Sequence, residues 1–300
     1  MPVSTSARAG PNAGLQIRLF GPLDITLSGR VVPHFPTRRS KLLFAYLTLH
    51  RGHMQSRDRV AGTLWGERPE AVARTRLRTA LWRVRATLGK SASLQESEEY
   101  VSAGRDEVGF TPTVSYWLDV EEFENRASAA KGPFQACAPT IAAGLREAVE
   151  LYRGDLLEGE YDSWLIEEQD RLRGMFLEAL ERLVIHHVSR GEWVAAAEYT
   201  KRLLATDPMR EHAHRELMVL YYLQGDRGRA IKQYFECRKA LDDELGVEPM
   251  RRTRDLYDAL LDEDEERLNQ ALGEAGGMLN PSGGPGSARP DPLETLLRRR

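Results

Sequence analysis

Residues 69–89 read PEAVARTRLRTALWRVRATLG. Projected at 100° per residue, Ala73, Leu77, Ala80, Leu81, Val84 and Leu88 fall on one face, which must pack on a core. Thr75, Thr79, Trp82 and Ala86 fall on the opposite face, with Arg74, Arg78 and Arg85 flanking on one side and Arg76 and Arg83 on the other. Pro69 suits a first helical turn and Gly89 a C-cap, so a helix over about Pro69 to Leu88 is expected. Beyond Glu70 almost no acid lies on it to offset the arginines, which argues against a merely solvated face. Such a face suits a DNA major groove. Arginine bonds two acceptors of guanine at once, and threonine offers a methyl to thymine or a hydroxyl to a base edge. Arg74, Thr75, Arg78, Thr79 and Trp82 are therefore read as base contacts, and Arg76, Arg83 and Arg85 as phosphate contacts.

The flanking sequence frames this helix as part of a winged helix. LQIRLF (15–20) and LDITL (23–27) alternate apolar and polar residues around the Gly21-Pro22 turn, and a further turn at Ser28-Gly29 precedes Val31-Val32. A small antiparallel sheet follows from that pattern. Two helices then precede the arginine-rich one, the first after Thr37 as N-cap and ending at Arg51-Gly52, the second over about Arg57 to Trp65 with Gly66 stopping it. Beyond Gly89, Glu99–Ser102 and Val108–Thr111 flank a hairpin tip at 103–106. Further phosphate contacts are expected from Arg38, Arg39 and Lys41 at a helix N-terminus, from Arg57, and from Arg105 at the hairpin tip.

Charge is divided along the chain. Residues 1–90 hold 16 basic against 4 acidic residues, a net of +12, and the remainder carries −15 although the whole is only −3. A basic front points to a polyanion, and an acidic rear to solvent or protein. No run of about 18 apolar residues spans a membrane, and MPVSTSARAGPNAG lacks the apolar stretch of a signal peptide. Cys137 and Cys237 have no CxxC spacing, which fits a reducing cytoplasm.

From Val120 the chain reads as helical, with breaks at 128–139 and at Arg153-Gly154-Asp155. Gly191 and Gly225 stand 34 residues apart, each followed by an acid and, five residues on, by Ala196 or Ala230. That is the tetratricopeptide period, in which a small alanine lets paired helices approach and Pro208 ends the second helix of the unit. The expected fold is thus mainly α with a small β component. A disordered lead (1–14) precedes a winged-helix DNA-binding domain (15–118), an all-α tetratricopeptide-like domain (119–265) and a flexible tail (266–300). On that division, a chain lacking 115–300 should keep some DNA binding.

LFGPLDI, RRSKLLFAYLTLHRGHMQSRDRVAGTLWG and ARTRLRTALWRVRATLG together resemble the OmpR-type winged helix of the Streptomyces antibiotic regulatory protein family. LYRGDLLEGEYDSW and the stretch RLLATDPMREHAH through LDDELGVEP resemble that family's bacterial transcriptional activation domain. The resemblance covers about residues 15–260. It implies a transcriptional activator, commonly of an antibiotic or other secondary-metabolite cluster. Such an activator binds direct repeats of double-stranded promoter DNA near the −35 element as side-by-side pairs and contacts RNA polymerase holoenzyme, including the sigma factor. It places base reading on 69–88 and the wing on 99–111. Larger relatives add an ATPase module; no GxxxxGK[ST] occurs here, so no cofactor is expected.

Enzymatic chemistry is not indicated. His186-His187 and His212-x-His214 lack the i,i+4 spacing of a helical metal pair, no nucleophile elbow occurs, and Glu167, Glu168 and Asp170 read as a helix face. The rival reading is a helical-repeat scaffold whose winged helix mainly binds protein, against which the +12 front argues.

Overall fold

Alternation in LQIR and DITL is what builds the first sheet. In the computed structural model, which describes residues 14–89, 100–112, 115–129, 138–262, 267–268 and 270, those segments are β1 (Leu15–Arg18) and β2 (Asp24–Leu27). Their inward residues Leu15, Ile17, Ile25 and Leu27 are buried. The lead apart from Gly14, Glu99, most of the 128–139 break, Cys137 and nearly all of the tail lie outside the described residues. β1 and β2 pair antiparallel (Leu15 opposite Leu27), and β3 (Arg30–Val31) joins β2 through a turn at Ser28-Gly29 whose φ values are both positive.

α1 (Arg38–Leu49) starts at Thr37, whose hydroxyl accepts the Ser40 amide while Ser40 Oγ accepts the Thr37 amide, a complete capping box. β4 (Gln55–Ser56), α2 (Arg57–Trp65), α3 (Glu70–Gly89), β5 (Val101–Ala103) and β6 (Glu107–Phe110) follow, so the three expected helices and the wing are present. Two strands were not read from the sequence. β4 pairs with β6 as the third strand of the wing sheet, and β7 (Tyr116–Leu118) pairs parallel with β1, Leu15 opposite Tyr116. The front sheet is thus antiparallel except at that edge.

The chain forms two compact units, one of residues 1–125 with 151–172 and the other of 126–150 with 173–300. Where a boundary at 118/119 was expected, the first unit therefore also takes in most of α4 (Asp119–Ser128) and the segment 151–172. Asp119 shows why. Its buried carboxylate accepts the amides of Leu19 at 2.9 Å, Phe20 at 3.0 Å and Val120 at 2.8 Å. Burial pushes this carboxyl up to about 6, opposed by those amides and by Arg153. Residues 155–158 then bond the same backbone. Leu157 N–H donates to Leu19 O at 2.8 Å, Gly21 N–H to Asp155 O at 2.9 Å and Glu158 N–H to Gly21 O at 3.1 Å. Phe20 packs between Phe123 (5.2 Å between centroids) and Tyr152 (4.7 Å).

The second unit is all helical among the described residues. It holds α5 (Pro139–Leu151) through Glu150, the later part of α6 (Ser163–Val188), α7 (Trp193–Thr206), α8 (Glu211–Leu223), α9 (Arg227–Leu245) and α10 (Arg251–Asp262). Gly191 and Gly225 make the turns before α7 and α9 at φ of 71° and 79°, a conformation that costs glycine no steric penalty. Ala196 and Ala230, five residues on, are fully buried, and Leu217, Met218 and Leu256 fill the same core. His187 and His214 are buried and hydrogen-bonded. His187 Nδ1 meets Glu192 at 2.6 Å, and His214 lies between Pro208 O at 2.9 Å and Gln233 at 2.7 Å.

Asp119→Ala strands buried amides and should destabilise the first unit by about 3 kcal/mol, read as a lower urea midpoint at unchanged slope. The raised carboxyl binds its proton more tightly folded than unfolded, so its contribution is complete below about pH 4 and is lost as pH rises through about 6. The Ala variant should lose that dependence. A fragment of residues 1–118 lacks Asp119, Phe123 and the 155–158 bonds, and should melt well below a fragment of 1–172 in circular dichroism. Equal midpoints would refute the discontinuous unit.

Candidate nucleic-acid interface

α3 lies with its apolar side inward. Ala73, Leu77, Ala80, Leu81, Val84 and Leu88 are all buried, and Thr87 joins them. The helix packs on α1 and α2, so its opposite side faces out. Trp82 is 69% exposed there and Val72 41%. Thr75 and Thr79 are exposed as well.

The five flanking arginines do not share one environment. Arg76, Arg78 and Arg83 have no hydrogen-bond or ion-pair partner among the described residues. Arg74 is held by Asp58 through two bonds of 2.6 and 2.8 Å, and by Glu70 at 2.7 Å. That arginine in turn holds the Asp58 carboxyl below its usual value. Arg85 is half-buried and donates to the Val101 carbonyl at 2.8 and 3.3 Å, which ties α3 to β5. Its guanidinium is engaged inside the fold rather than held out toward a phosphate.

The wing is fixed at its tip too. β5 and β6 pair antiparallel with Val101 opposite Phe110, and Gly104 N–H donates to Glu107 O at 2.9 Å. The Arg57 amide donates to Asp106 O at 2.9 Å while its guanidinium donates to Gly104 O at 3.1 Å. The wing tip, the start of α2 and the N-terminal half of α3 thereby enclose an open cleft of about 590 Å³. It is lined by Arg57, Arg74, Arg78 and Arg105, with Asp58, Asp106, Ser56 and Thr75. Asp58 and Asp106 were missed in the sequence. Asp58, in the first turn of α2, could have been noted as a helix-start acid, but nothing local pairs it with Arg74.

Arg38, Arg39 and Lys41 lie elsewhere, at the start of α1. Glu160 binds Arg38 at 2.6 Å and also Lys41, while Asp162 binds Arg39 at 2.6 Å and also Arg38. Both carboxylates are largely buried, with side-chain exposures of 9% and 13%. Three cations expected to meet phosphate are thus already paired, through acids some 120 residues away that no local pattern could reveal.

Among the described residues no group of three or more His, Cys, Asp and Glu could hold a metal ion, and no helix is long and apolar enough to cross a membrane.

Residues 118–261 match the family model of the bacterial transcriptional activator domain. Regulatory protein DnrI of Streptomyces peucetius is 29% identical over 256 residues, covering 82% of this chain and 92% of DnrI. Regulatory protein AfsR of Streptomyces coelicolor is 28% identical over 254 residues, covering 84% of this chain, but this chain spans only 25% of the length of AfsR. Among solved structures, Mycobacterium tuberculosis EmbR, determined with a low-affinity phosphopeptide, superposes with a TM-score of 0.62 at 22% identity. It covers 88% of this chain and 70% of its own. That likeness supports the fold, a winged helix with a helical-repeat domain. Residues 118–261 thus match a bacterial transcriptional activator domain, and the chain as a whole is similar to regulatory proteins that include DnrI and AfsR.

Proposed function

We propose that this protein is a sequence-specific DNA-binding transcriptional activator that lays α3 in the major groove and the 101–110 wing on the adjacent backbone. The observation that carries this is the outward side of α3. Ala73, Leu77, Ala80, Leu81, Val84 and Leu88 are buried on the opposite side, while Arg76, Arg78 and Arg83 stand without acid partners among the described residues around an exposed Trp82. Unpaired arginines on a helix held rigidly by its core meet what phosphates and guanine edges require.

On this reading Arg78, Thr75, Thr79 and Trp82 face bases, with Arg74 joining them once it exchanges Asp58 for a base. Arg76, Arg83 and Arg105 face phosphates, while Arg57, read from the sequence as a phosphate contact, holds the wing tip through Gly104 O. Arg85 positions the wing, and Arg38, Arg39 and Lys41 hold the 160–162 segment instead of DNA. The finer expectations of the family belong to the same proposal: direct repeats near the −35 element, a side-by-side homodimer, recruitment of RNA polymerase holoenzyme and its sigma factor, an antibiotic cluster as target, and work in the cytoplasm. The second unit, with 23 basic and 25 acidic residues, has no basic excess to draw it to DNA, which supports a protein-contacting role there.

Binding of the full chain to promoter fragments at rising salt tests the reading, since each phosphate contact adds roughly 0.9 to the slope of log affinity on log salt. A flat response would favour the protein-binding scaffold. Arg78→Ala should reduce discrimination between correct and mutated sites by about 1–3 kcal/mol. Arg39→Ala should leave DNA affinity within about twofold, because Asp162 already takes its charge. A uniform tenfold loss would return Arg39 to the phosphate-binding set.

A further inference from the structure

The outward side of α3 is sorted more finely than by charge. Val72, Thr75, Thr79, Trp82 and Ala86 recur at spacings of three, four, three and four residues, which confines them to an arc of about 80°. Val72 and Trp82 are apolar yet 41% and 69% exposed. The two threonines match them. Thr75 donates its hydroxyl to Ala71 O at 3.0 Å, and Thr79 donates to Thr75 O at 3.1 Å. With both hydroxyls turned back onto the helix, the γ-methyl is what each threonine offers outward. The five residues therefore form an apolar seam, bordered by Arg78 on one side and by Arg76 and Arg83 on the other.

An exposed apolar stripe on a soluble protein marks a contact surface, and its borders say what kind. Arginines without partners among the described residues call for a polyanion. The major groove presents one apolar group between its two rows of phosphates, the C5-methyl of thymine. We propose that α3 recognises its site chiefly through thymine methyl groups taken up along the 72–86 seam, with the bordering arginines on guanine edges and phosphates. This rests on the reading of α3 as a major-groove helix. It assigns Thr75 and Thr79 their methyls rather than their hydroxyls, and Trp82 a thymine methyl.

The test begins with the full chain, used to select its best-bound duplex from a random-sequence library. Each thymine of that duplex is then replaced by deoxyuridine, which removes only the methyl and leaves every hydrogen-bonding group. Affinity should fall about fourfold for each methyl the seam covers, the value of one buried carbon, and should not change at thymines outside it. Trp82→Ala, at an exposed position that leaves the core intact, should abolish the deoxyuridine penalty at one of those thymines. A fully substituted duplex bound as tightly as its parent, or a selected site without thymine, would overturn the proposal. If Arg78→Ala still weakened binding there, the major-groove reading would survive alone. Recovery of no duplex at all would overturn both.

Discussion

The burial of one side of α3 is the constraint on which the rest of the first unit's chemistry depends. Six apolar residues, from Ala73 to Leu88, are taken out of water against α1 and α2. A buried leucine or valine stabilises by about 1.5–3 kcal/mol, whereas an exposed ion pair contributes about 0–1. The rotation of α3 about its axis is therefore set by its leucines and not by its arginines. Arg76, Arg78 and Arg83 are carried outward because Leu77, Leu81 and Val84 have to go in.

The same arithmetic explains why residues of one type have different roles. Arg85 lies along the helix where the β5 backbone passes, and it bonds the Val101 carbonyl. Arg57 sits where the wing tip returns and bonds Gly104 O. These two convert arginine from a surface charge into a strut, so that wing, α2 and α3 form one surface with little freedom to shift. Arg74 is intermediate, because its partners Asp58 and Glu70 are exposed and a stronger acceptor can displace them.

The segment from 151 to 172 belongs by sequence to the activator domain, whose family match runs over 118–261, yet it packs with the winged helix. Backbone bonds to Leu19 and Gly21, the Phe20–Tyr152 contact and the acids Glu160 and Asp162 all hold it there. The unit recognised by sequence similarity and the unit held together by a core are thus different objects. The first unit thus draws part of its packing from sequence that the family model assigns to the activator domain.

Local pattern was enough for the three helices of the winged helix, the hairpin wing, the inward face of α3 and the 34-residue repeat of the second unit. All of these rest on periodicity, caps or turn residues, which act over a few positions. The strands β4 and β7, the Asp58–Arg74 pair and the Arg38, Arg39 and Lys41 pairs were not legible. Each depends on a partner from 16 to about 120 residues away, and charge or β-propensity at one position carries no record of what the fold brings beside it. Net charge could say that the front of the chain attracts a polyanion. Which arginines remain outward, and which are already bound to a carbonyl or a buried carboxylate, was decided by tertiary packing, because a guanidinium takes whatever acceptor lies nearest once the apolar faces have fixed the backbone.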